Sequence, residues 1–257
     1  MRYRLDELLV KKKLVETRSQ AQLLIKEGKV LTPQGVAQKP GQKFSLTAKI
    51  VIPQKEIYVG RGANKIRADV EKFNINLKNK VVADVGASTG GFTDYVLQNN
   101  AGKVYAIDVG HRQLAKKLRE DKRVINMEGT DIRKLKELPE KVDIAVVDLS
   151  YISLKLTLRD IFALIKDKGK AVCLFKPQFE AGKGVVPKDG VIKDENLREK
   201  ILNNFLKWVK EQNYLAPKII KSPVAGKDGN IEYLLYFTRV KELPILLEAA
   251  YPIIKLP

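Results

Sequence analysis

The apolar positions of the first fifty residues repeat with the period of helices. In "RYRLDELLVKKK", Leu5, Leu8 and Leu9 share one helical face, which predicts an amphipathic helix. The segment "TRSQAQLLIKEG" predicts a second helix, in which Thr17 is the N-cap, Gln20 completes a capping box and Gly28 is the left-handed stop. The stretches "GKVLT" and "FSLTAKIVI" predict strands joined by a turn-rich segment. Residues 1–55 are therefore predicted to form a small α+β domain.

From residue 64 onward, short apolar runs alternate with helical patterns. The runs "KVVADVG", "KVYAIDVG", "RVINME", "KVDIAVVDL", "KAVCLFK" and "IEYLLYFTRV" predict strands. The segments "TDYVLQNN", "RQLAKKLRED" and "NLREKILNNFLKWVKEQ" predict helices, and Trp208 falls on the apolar side of the last one, where we expect it to pack. This alternation is typical of a doubly wound, Rossmann-like sheet, which binds ligands at the carboxyl ends of its strands. The sequence thus predicts a linker over residues 56–63 and an α/β domain over residues 64–257.

Positive charge dominates the composition. The chain of 257 residues holds 48 Lys and Arg against 30 Asp and Glu, a net charge of +18. Residues 1–60 contain 12 basic and 5 acidic side chains, so the excess is spread over both predicted domains. A lysine-rich surface of a heat-adapted protein is the alternative, but such surfaces usually balance lysine with glutamate. The charge therefore favours a nucleic-acid partner.

The scarcity of cysteine and histidine disfavours other chemistries. Cys173 is the only cysteine, which excludes an internal disulfide, and its apolar surroundings favour a buried thiol over a nucleophile. His111 is the only histidine, so Ser-His-Asp catalysis and histidine-ligated zinc are disfavoured, and we expect a solvated residue at a helix start. No apolar run approaches the roughly 20 residues of a membrane-spanning helix, and the start lacks a signal-peptide core. We expect a cytoplasmic protein without a metal site.

The glycine-rich stretch "DVGASTGGF" directly follows the predicted strand "KVVADV". Its glycines permit a sharp turn and a close approach of ligand to backbone. The Gly-Lys-Ser/Thr ending of a phosphate-binding P-loop is missing, and so is the G-x-G-x-x-G spacing of dinucleotide sites. Asp84 suits a cationic ligand, and Asp108 ends the next strand, where a ribose diol would be held. The spacing favours S-adenosylmethionine over a nicotinamide cofactor.

The order of elements in the first domain resembles a known RNA-binding domain. The stretch "RLDELLVKKKLVETRSQAQLLIKEGKVLTPQG" is similar to the small domain first seen in ribosomal protein S4. That resemblance implies that the second helix and the loop after it contact structured RNA. A solvated helix face is the alternative for any single residue here. The positions implied as RNA contacts are Arg4, Arg18, Ser19, Gln20, Lys26 and Lys29.

From about residue 2 to residue 240, the chain resembles the TlyA family, also called hemolysin A. The stretches that carry the resemblance are "DVGASTGGFTDYVLQ", "VYAIDVG", "VVDLSYISL", "LFKPQFEAG" and "GNIEYLLY", in the family's order. Members are ribosomal RNA 2′-O-methyltransferases whose catalytic domain is like that of FtsJ. The resemblance implies methyl transfer from S-adenosylmethionine to a cytidine ribose, in 23S rRNA alone or in 23S and 16S rRNA. The short N-terminal extension favours 23S rRNA alone, and a monomer is expected.

Related enzymes use a Lys-Asp-Lys-Glu tetrad, which the resemblance carries to Lys65, Asp148, Lys176 and Glu232. Lys176 is expected to activate the hydroxyl, since a partly desolvated lysine beside the second cation, Lys65, can lose its proton. Alternatively, Lys176 stays charged and stabilises the developing alkoxide. The family usually has "SRGGxKL" where this chain has "GRGANKI", so Ala63 replaces a glycine in the loop before Lys65.

The same resemblance implies the residues that hold the methyl donor. Asp108 would bind the ribose, and Asp131 in "EGTDIR" would accept a hydrogen bond from the adenine amine, although relatives often carry Asn there. The positions expected around the methionine end are Asp84, Gly86, Ser88, Thr89, Gly90 and Gly91.

Two other functions compete with methyl transfer. The old hemolysin name suggests a membrane-damaging protein, but the apolar C-terminal "PILLEAAYPIIKLP" is short, broken by Pro244 and Pro252, and contains Glu248. A non-catalytic RNA-binding factor with the same fold is the other alternative, and the intact tetrad argues against it.

Overall fold

Two units separate between residues 57 and 58 in the computed structural model. The structure describes residues 2–52, 58–60, 62–182, 184–226 and 228–239. Positions 56, 57 and 61 of the predicted linker lie outside the described residues, and so does the C-terminal stretch 240–257. The first helix of the second unit begins at Gly62, inside the predicted linker.

The first unit contains two helices packed on short strands. Its elements are β1 (Arg2–Arg4), α1 (Leu5–Lys11), α2 (Arg18–Lys26), β2 (Leu31–Thr32), β3 (Gly35–Val36) and β4 (Lys43–Ser45). β1 pairs antiparallel with β4, and β2 with β3. Both helices were predicted, and their apolar faces form the unit's core around Leu5, Leu9 and Ile25. Gly28 ends α2 in the left-handed region, with φ +67°.

The N-terminus of α2 differs in one contact from the predicted capping box. Thr17 Oγ1 accepts a hydrogen bond from Gln20 N at 3.2 Å, as expected of an N-cap. The Gln20 side chain, however, accepts from Glu16 N at 3.0 Å rather than from the N-cap residue. The predicted strand "FSLTAKIVI" is also shorter, because the chain turns after Ser45, where Ala48 N donates to Ser45 O.

The second unit alternates strands and helices along its whole described length. Its elements are α3 (Gly62–Phe73), β5 (Val81–Val85), α4 (Gly91–Gln98), β6 (Lys103–Asp108), α5 (Lys116–Arg119), β7 (Val124–Glu128), β8 (Val142–Val147), α6 (Leu158–Leu164), β9 (Ile165–Phe175), α7 (Pro177–Glu180), α8 (Glu195–Glu211), β10 (Tyr214–Lys221) and β11 (Tyr233–Arg239). Single 3-10 turns follow β7 at Ile132–Lys134 and β8 at Leu154–Leu156.

These strands form one sheet in the order β10-β11-β9-β8-β5-β6-β7. The five strands from β9 to β7 are parallel, whereas β11 runs antiparallel to β9 and β10 antiparallel to β11. Alternate residues of β5 enter different cores, since Ala83 and Val85 pack on one face of the sheet and Val82 on the other. The predicted doubly wound fold is confirmed, with helices on both faces.

Local contacts explain where the second unit departs from the predicted elements. The predicted helix "RQLAKKLRED" forms only over Lys116–Arg119, because Glu128 Oε1 accepts from the main-chain N–H groups of Gln113 and Leu114 and holds them in a loop. Cys173 is buried in β9 and Trp208 packs beside Phe205, as predicted. His111 is exposed, but it lies in the loop before α5.

The described residues lack two features, a membrane-spanning helix and a cluster of metal ligands. No helix in that part of the chain is both long and apolar enough to cross a membrane. Over the same residues, no group of three or more His, Cys, Asp or Glu side chains is arranged to hold a metal ion.

Candidate active site

Three neighbouring strands end at the same edge of the sheet and bring their next residues together. Gly86 follows β5, Asp148 follows β8 and Lys176 follows β9. Gly86 has φ +88°, and a Cβ atom there would collide with the carbonyl oxygen of Asp148. Only glycine permits this approach of the two loops.

All four residues of the expected tetrad line one cavity of about 330 Å³ at this edge. Lys176 Nζ lies 2.6 Å from Asp148 Oδ1, and Lys65 Nζ lies 2.6 Å from Glu232 Oε2. The four side chains are 8%, 22%, 12% and 3% exposed in that order. Two nearly buried ion pairs therefore face one enclosed space, where charge interacts more strongly than in water.

Each member of the tetrad is held by its surroundings. Lys65 lies in the first turns of α3, and Lys176 is followed at once by Pro177, which starts α7. Glu232 precedes β11, where its carbonyl accepts from Ser222 N at 2.8 Å. A Cβ atom at Gly226 would lie only 2.6 Å from Glu232 Oε1, so the carboxylate fits closely against that glycine.

The sequence analysis missed Ser150, a polar partner of Lys176. Lys176 Nζ donates to Ser150 Oγ at 2.8 Å, and Ser150 lines the same cavity. The residue stands inside "VVDLSYISL", two positions after Asp148. Its place in that motif was the available signal.

A second cavity of about 860 Å³ adjoins the first, with Gly86, Ser88 and Asp148 lining both. Asp108 lies on its wall and accepts from Ser88 N at 2.8 Å and from Gly110 N at 2.7 Å. Apolar side chains, among them Ile132 and Leu149, form another part of the wall. This cavity offers a carboxylate beside an apolar slot, which suits a nucleoside.

Six of the eight residues expected to hold the donor line these cavities. Beyond Gly86 and Ser88, Thr89 and Gly91 line the first cavity, and Asp108 and Asp131 line the second. The Asp131 carboxylate is bound by Arg133 at 2.6 Å, and hydrogen bonds from that side chain lower the pKa of Asp131.

Asp84 and Gly90 line neither cavity. Asp84 is completely buried beneath the turn, where its Oδ2 accepts from Thr93 Oγ1 at 2.6 Å and its Oδ1 has no hydrogen-bond partner among the described residues. Burial raises the pKa of Asp84 to about 7. Gly90 is the left-handed N-cap of α4, and a Cβ atom there would collide with Leu118. Both residues therefore support the conformation of the turn without lining either cavity.

Tyr151 is an exposed aromatic residue at the boundary of the two cavities and lines both. Its side chain is 91% exposed, and its backbone is left-handed with φ +65°. The ring centroid lies 5.3 Å from that of Phe179. Its place beside both cavities, rather than its exposure, makes Tyr151 a candidate contact for a ligand, and the sequence analysis did not predict it.

The expected RNA contacts of the first unit are largely engaged within the unit. Arg4 and Arg18 both bind the buried carboxylate of Asp6, at 3.1 Å each. Lys29 pairs with Glu27 at 2.9 Å. Of the remaining expected contacts, the Gln20 side chain accepts a hydrogen bond from Glu16 N, and Ser19 is exposed. Lys26 is also exposed, and it forms no ion pair with any described residue.

Two family models match the chain. A model described as FtsJ-like methyltransferase matches residues 58–239, and a model described as S4 domain matches residues 4–48. The two matches correspond to the two structural units.

Curated relatives match nearly the whole chain. Hemolysin A from Brachyspira hyodysenteriae is 40% identical over 237 residues, which cover 91% of this chain and 99% of that protein. The 16S/23S rRNA (cytidine-2′-O)-methyltransferase TlyA from Mycobacterium tuberculosis is 38% identical over 239 residues, which cover 91% of this chain and 89% of that protein. Among solved structures, a candidate hemolysin from Streptococcus thermophilus superposes with a TM-score of 0.70 at 33% identity, covering 97% of this chain and 94% of that one.

Proposed function

The chain belongs to the FtsJ-like methyltransferases and carries an S4 domain before its catalytic unit, and from this premise we propose that it methylates a ribose 2′-hydroxyl of ribosomal RNA with S-adenosylmethionine as donor. The observation that carries the proposal is the meeting of two ion pairs, Lys176 with Asp148 and Lys65 with Glu232, in one cavity beside the glycine turn.

The residues around the turn fit the proposed donor. The Asp108 carboxylate would bind the ribose diol, and the apolar wall with Ile132 and Leu149 would hold the adenine. Gly86 and Gly91 have no side chain where the methionine end would lie, and Asp131, on the wall of the second cavity, would accept a hydrogen bond from the adenine amine. When bound, S-adenosylmethionine supplies a methyl group activated by its sulfonium.

The tetrad's proposed task is to orient the hydroxyl and stabilise its oxygen as the proton leaves. Both ion pairs are nearly buried, so their charges act through little water. The ion pair with Asp148 and the hydrogen bond to Ser150 hold the Lys176 ammonium in the cavity, where it would stabilise the hydroxyl oxygen. Glu232 holds Lys65 in the same way.

The structure bears on the two roles considered for Lys176. The general-base role needs Lys65, as the neighbouring cation, to lower the pKa of Lys176, and the ion pair of Lys65 with Glu232 weakens that influence. The ion pair of Lys176 with Asp148 supports a charged lysine that stabilises the alkoxide. Lys176→Arg tests this role, since arginine stays protonated: residual transfer favours stabilisation, and complete loss favours the base.

The proposed substrate is a cytidine of ribosomal RNA, in 23S rRNA alone or in both 23S and 16S rRNA. The relative from M. tuberculosis carries both ribosomal RNAs in its name, and it aligns with this chain through both units. The exposed ring of Tyr151 at the cavity mouth could stack on the target base, because every base offers a π-face to an aromatic side chain.

Labelled methyl transfer to purified ribosomal subunits and to naked 23S and 16S rRNA tests the function. We expect transfer by the wild-type chain, mapped to a cytidine ribose.

Lys176→Ala should lose at least about a thousandfold in kcat, the scale of one preorganised charge, while donor affinity by calorimetry stays within about threefold. Lys168→Ala, an exposed lysine of β9, is the matched control. Normal turnover by Lys176→Ala contradicts the tetrad, and dye release from lipid vesicles without methyl transfer contradicts the function.

A further inference from the structure

The loop after β8 and the segment after β9 contact each other at three places. The loop covers residues 148–156, and the segment covers residues 176–180. At one end, Lys176 contacts Asp148 and Ser150. In the middle, the Tyr151 and Phe179 rings touch. The contact at the other end has no part in the tetrad.

That third contact is made by Glu180 with both of its carboxylate oxygens. Ser153 Oγ donates to Oε2 at 2.5 Å, and Leu154 N donates to Oε1 at 2.7 Å. Burial raises the pKa of Glu180, and the two hydrogen bonds oppose that shift. A desolvated carboxyl without such donors would be costly, so these bonds hold the loop to α7.

The backbone between the two anchors needs support. Tyr151 is left-handed at φ +65°, which costs a non-glycine residue of the order of 1 kcal/mol. Its ring is 91% exposed, so burial of the side chain does not offset this cost. The support comes from the bonds on either side, Lys176 to Ser150 before it and Glu180 to residues 153 and 154 after it.

The position of this loop matters because it forms the wall shared by the two cavities. Asp148, Ser150 and Tyr151 line both. A shift of about 1 Å in a reacting group can cost a hundredfold in rate. We propose that Glu180 is a positioning residue: it fixes residues 148–156 so that Asp148 and Tyr151 keep their places relative to Lys176. The proposal rests on the methyl transfer proposed above.

Three variants separate position from charge. Glu180→Ala removes both acceptors, and Ser153→Ala removes one of the two bonds. Glu180→Gln can restore both, because its amide oxygen accepts from Leu154 N and its amide N–H donates to Ser153 Oγ. Asp143→Ala is the matched control, since Asp143 accepts from Val81 N and Lys166 Nζ, both at 2.9 Å, at the opposite edge of the sheet.

In the full-length chain, Glu180→Ala should lower kcat by about ten- to a hundredfold. Donor affinity should fall by less, because Gly86 and Ser88 are held from β5 and β6. Glu180→Gln should recover kcat to within about threefold of wild type, the level expected when both bonds return. Asp143→Ala should lower stability without lowering kcat.

Hydrogen exchange by mass spectrometry measures the loop without relying on catalysis. Peptides covering residues 148–156 should exchange faster in Glu180→Ala and Ser153→Ala, but not in Glu180→Gln or Asp143→Ala. If Glu180→Ala does not fold, Ser153→Ala supplies the comparison. Wild-type kcat or unchanged loop exchange in both Glu180→Ala and Ser153→Ala overturns the positioning role. Absence of transfer by the wild-type chain would overturn the proposed function, and loop exchange would still decide the role of Glu180.

Discussion

Gly86 lets the glycine turn after β5 lie directly against the backbone of Asp148, a member of the expected tetrad. Its φ is +88°, and an added Cβ would collide with the Asp148 carbonyl oxygen. We expect Gly86→Ala to destabilise the fold by about 3 kcal/mol through backbone strain and overpacking, and to weaken donor binding and methyl transfer. Thermal unfolding and calorimetric donor titration measure these effects.

Gly190 supplies the control for that substitution. It is also left-handed, at φ +75°, but an added Cβ would have no heavy atom within 4 Å. Gly190→Ala should therefore cost only the conformational strain, about 1 kcal/mol. Equal losses in the two variants would show that the contact with Asp148 is unimportant.

Asp84 should make stability depend on pH. Burial raises its pKa to about 7, from 3.8 for an unperturbed carboxyl. A carboxyl with a raised pKa stabilises the fold when protonated, so its contribution is complete below pH 3.8 and is lost as pH rises through 7. Asp84→Asn should remove this loss. Between about pH 4 and 7, the free energy of unfolding of the variant should therefore rise relative to that of the wild type by on the order of 4 kcal/mol. Urea unfolding at several pH values across that range measures the difference, and a difference that does not change with pH would refute the prediction.

At the scale of elements, strands were easier to predict than the loops that shape the site. The apolar runs ending at Val85, Val147 and Phe175 predicted their strands, because buried parallel strands need continuous apolar residues. β10 was missed, since Tyr214–Lys221 mixes apolar and charged residues without strict alternation. The long helix expected around α5 was wrong because Glu128, distant in sequence, holds its first turn in a loop.

The same division holds for the candidate site. Residues inside recognisable motifs, such as Lys176 and Glu232, could be named beforehand, and they meet in one cavity. Ser150 and Glu180 also stand inside the quoted motifs, but their roles were not predicted, because these depend on hydrogen bonds between two loops that meet only when the sheet forms. Asp84 lies in the motif, yet its burial beneath the turn depends on packing that no local pattern reveals.

The two helices of the first unit are joined through Asp6, which is fully buried on α1. Its carboxylate accepts from Arg4, from Arg18 at 3.1 Å and from Gln22 at 2.8 Å, and the arginines hold its pKa well below the usual range. Asp6→Asn removes the charged acceptor of these bonds, but water can solvate the half-exposed arginines, so the variant should lose about 2 kcal/mol of stability, the scale of a hydrogen bond to a charged group. Faster hydrogen exchange over residues 2–26 would report the loss.

Glu7→Gln is the matched comparison for Asp6→Asn. Glu7 also faces Arg18, at 3.3 Å, but its side chain is 42% exposed. Exposed ion pairs contribute little, so this variant should change stability by less than about 1 kcal/mol. A comparable loss in both variants would show that burial of Asp6 adds nothing.

Charge is distributed unevenly over the whole molecule. Among the described residues that line the two cavities, carboxylates outnumber cations by five to three, whereas the chain carries +18 overall. Phosphates are repelled by carboxylates, so electrostatic affinity for RNA has to come from cations outside the cavities. In the first unit Arg4 and Arg18 are largely neutralised by Asp6 and Glu7, which leaves Lys26 as the better candidate on α2.

Lys26→Glu should therefore weaken binding to ribosomal RNA and reduce the slope of log affinity against log salt by about 1. Affinity for S-adenosylmethionine should not change, because the two cavities proposed to bind it belong to the other unit. Lys168→Glu makes the same change in net charge at an exposed position of β9, at the amino-terminal end of the strand. If net charge alone governs affinity, the two variants will lose equally; if α2 contacts RNA, Lys26→Glu will lose more at every salt concentration. Binding titrations between 50 and about 200 mM salt, where such slopes are measurable, distinguish the two.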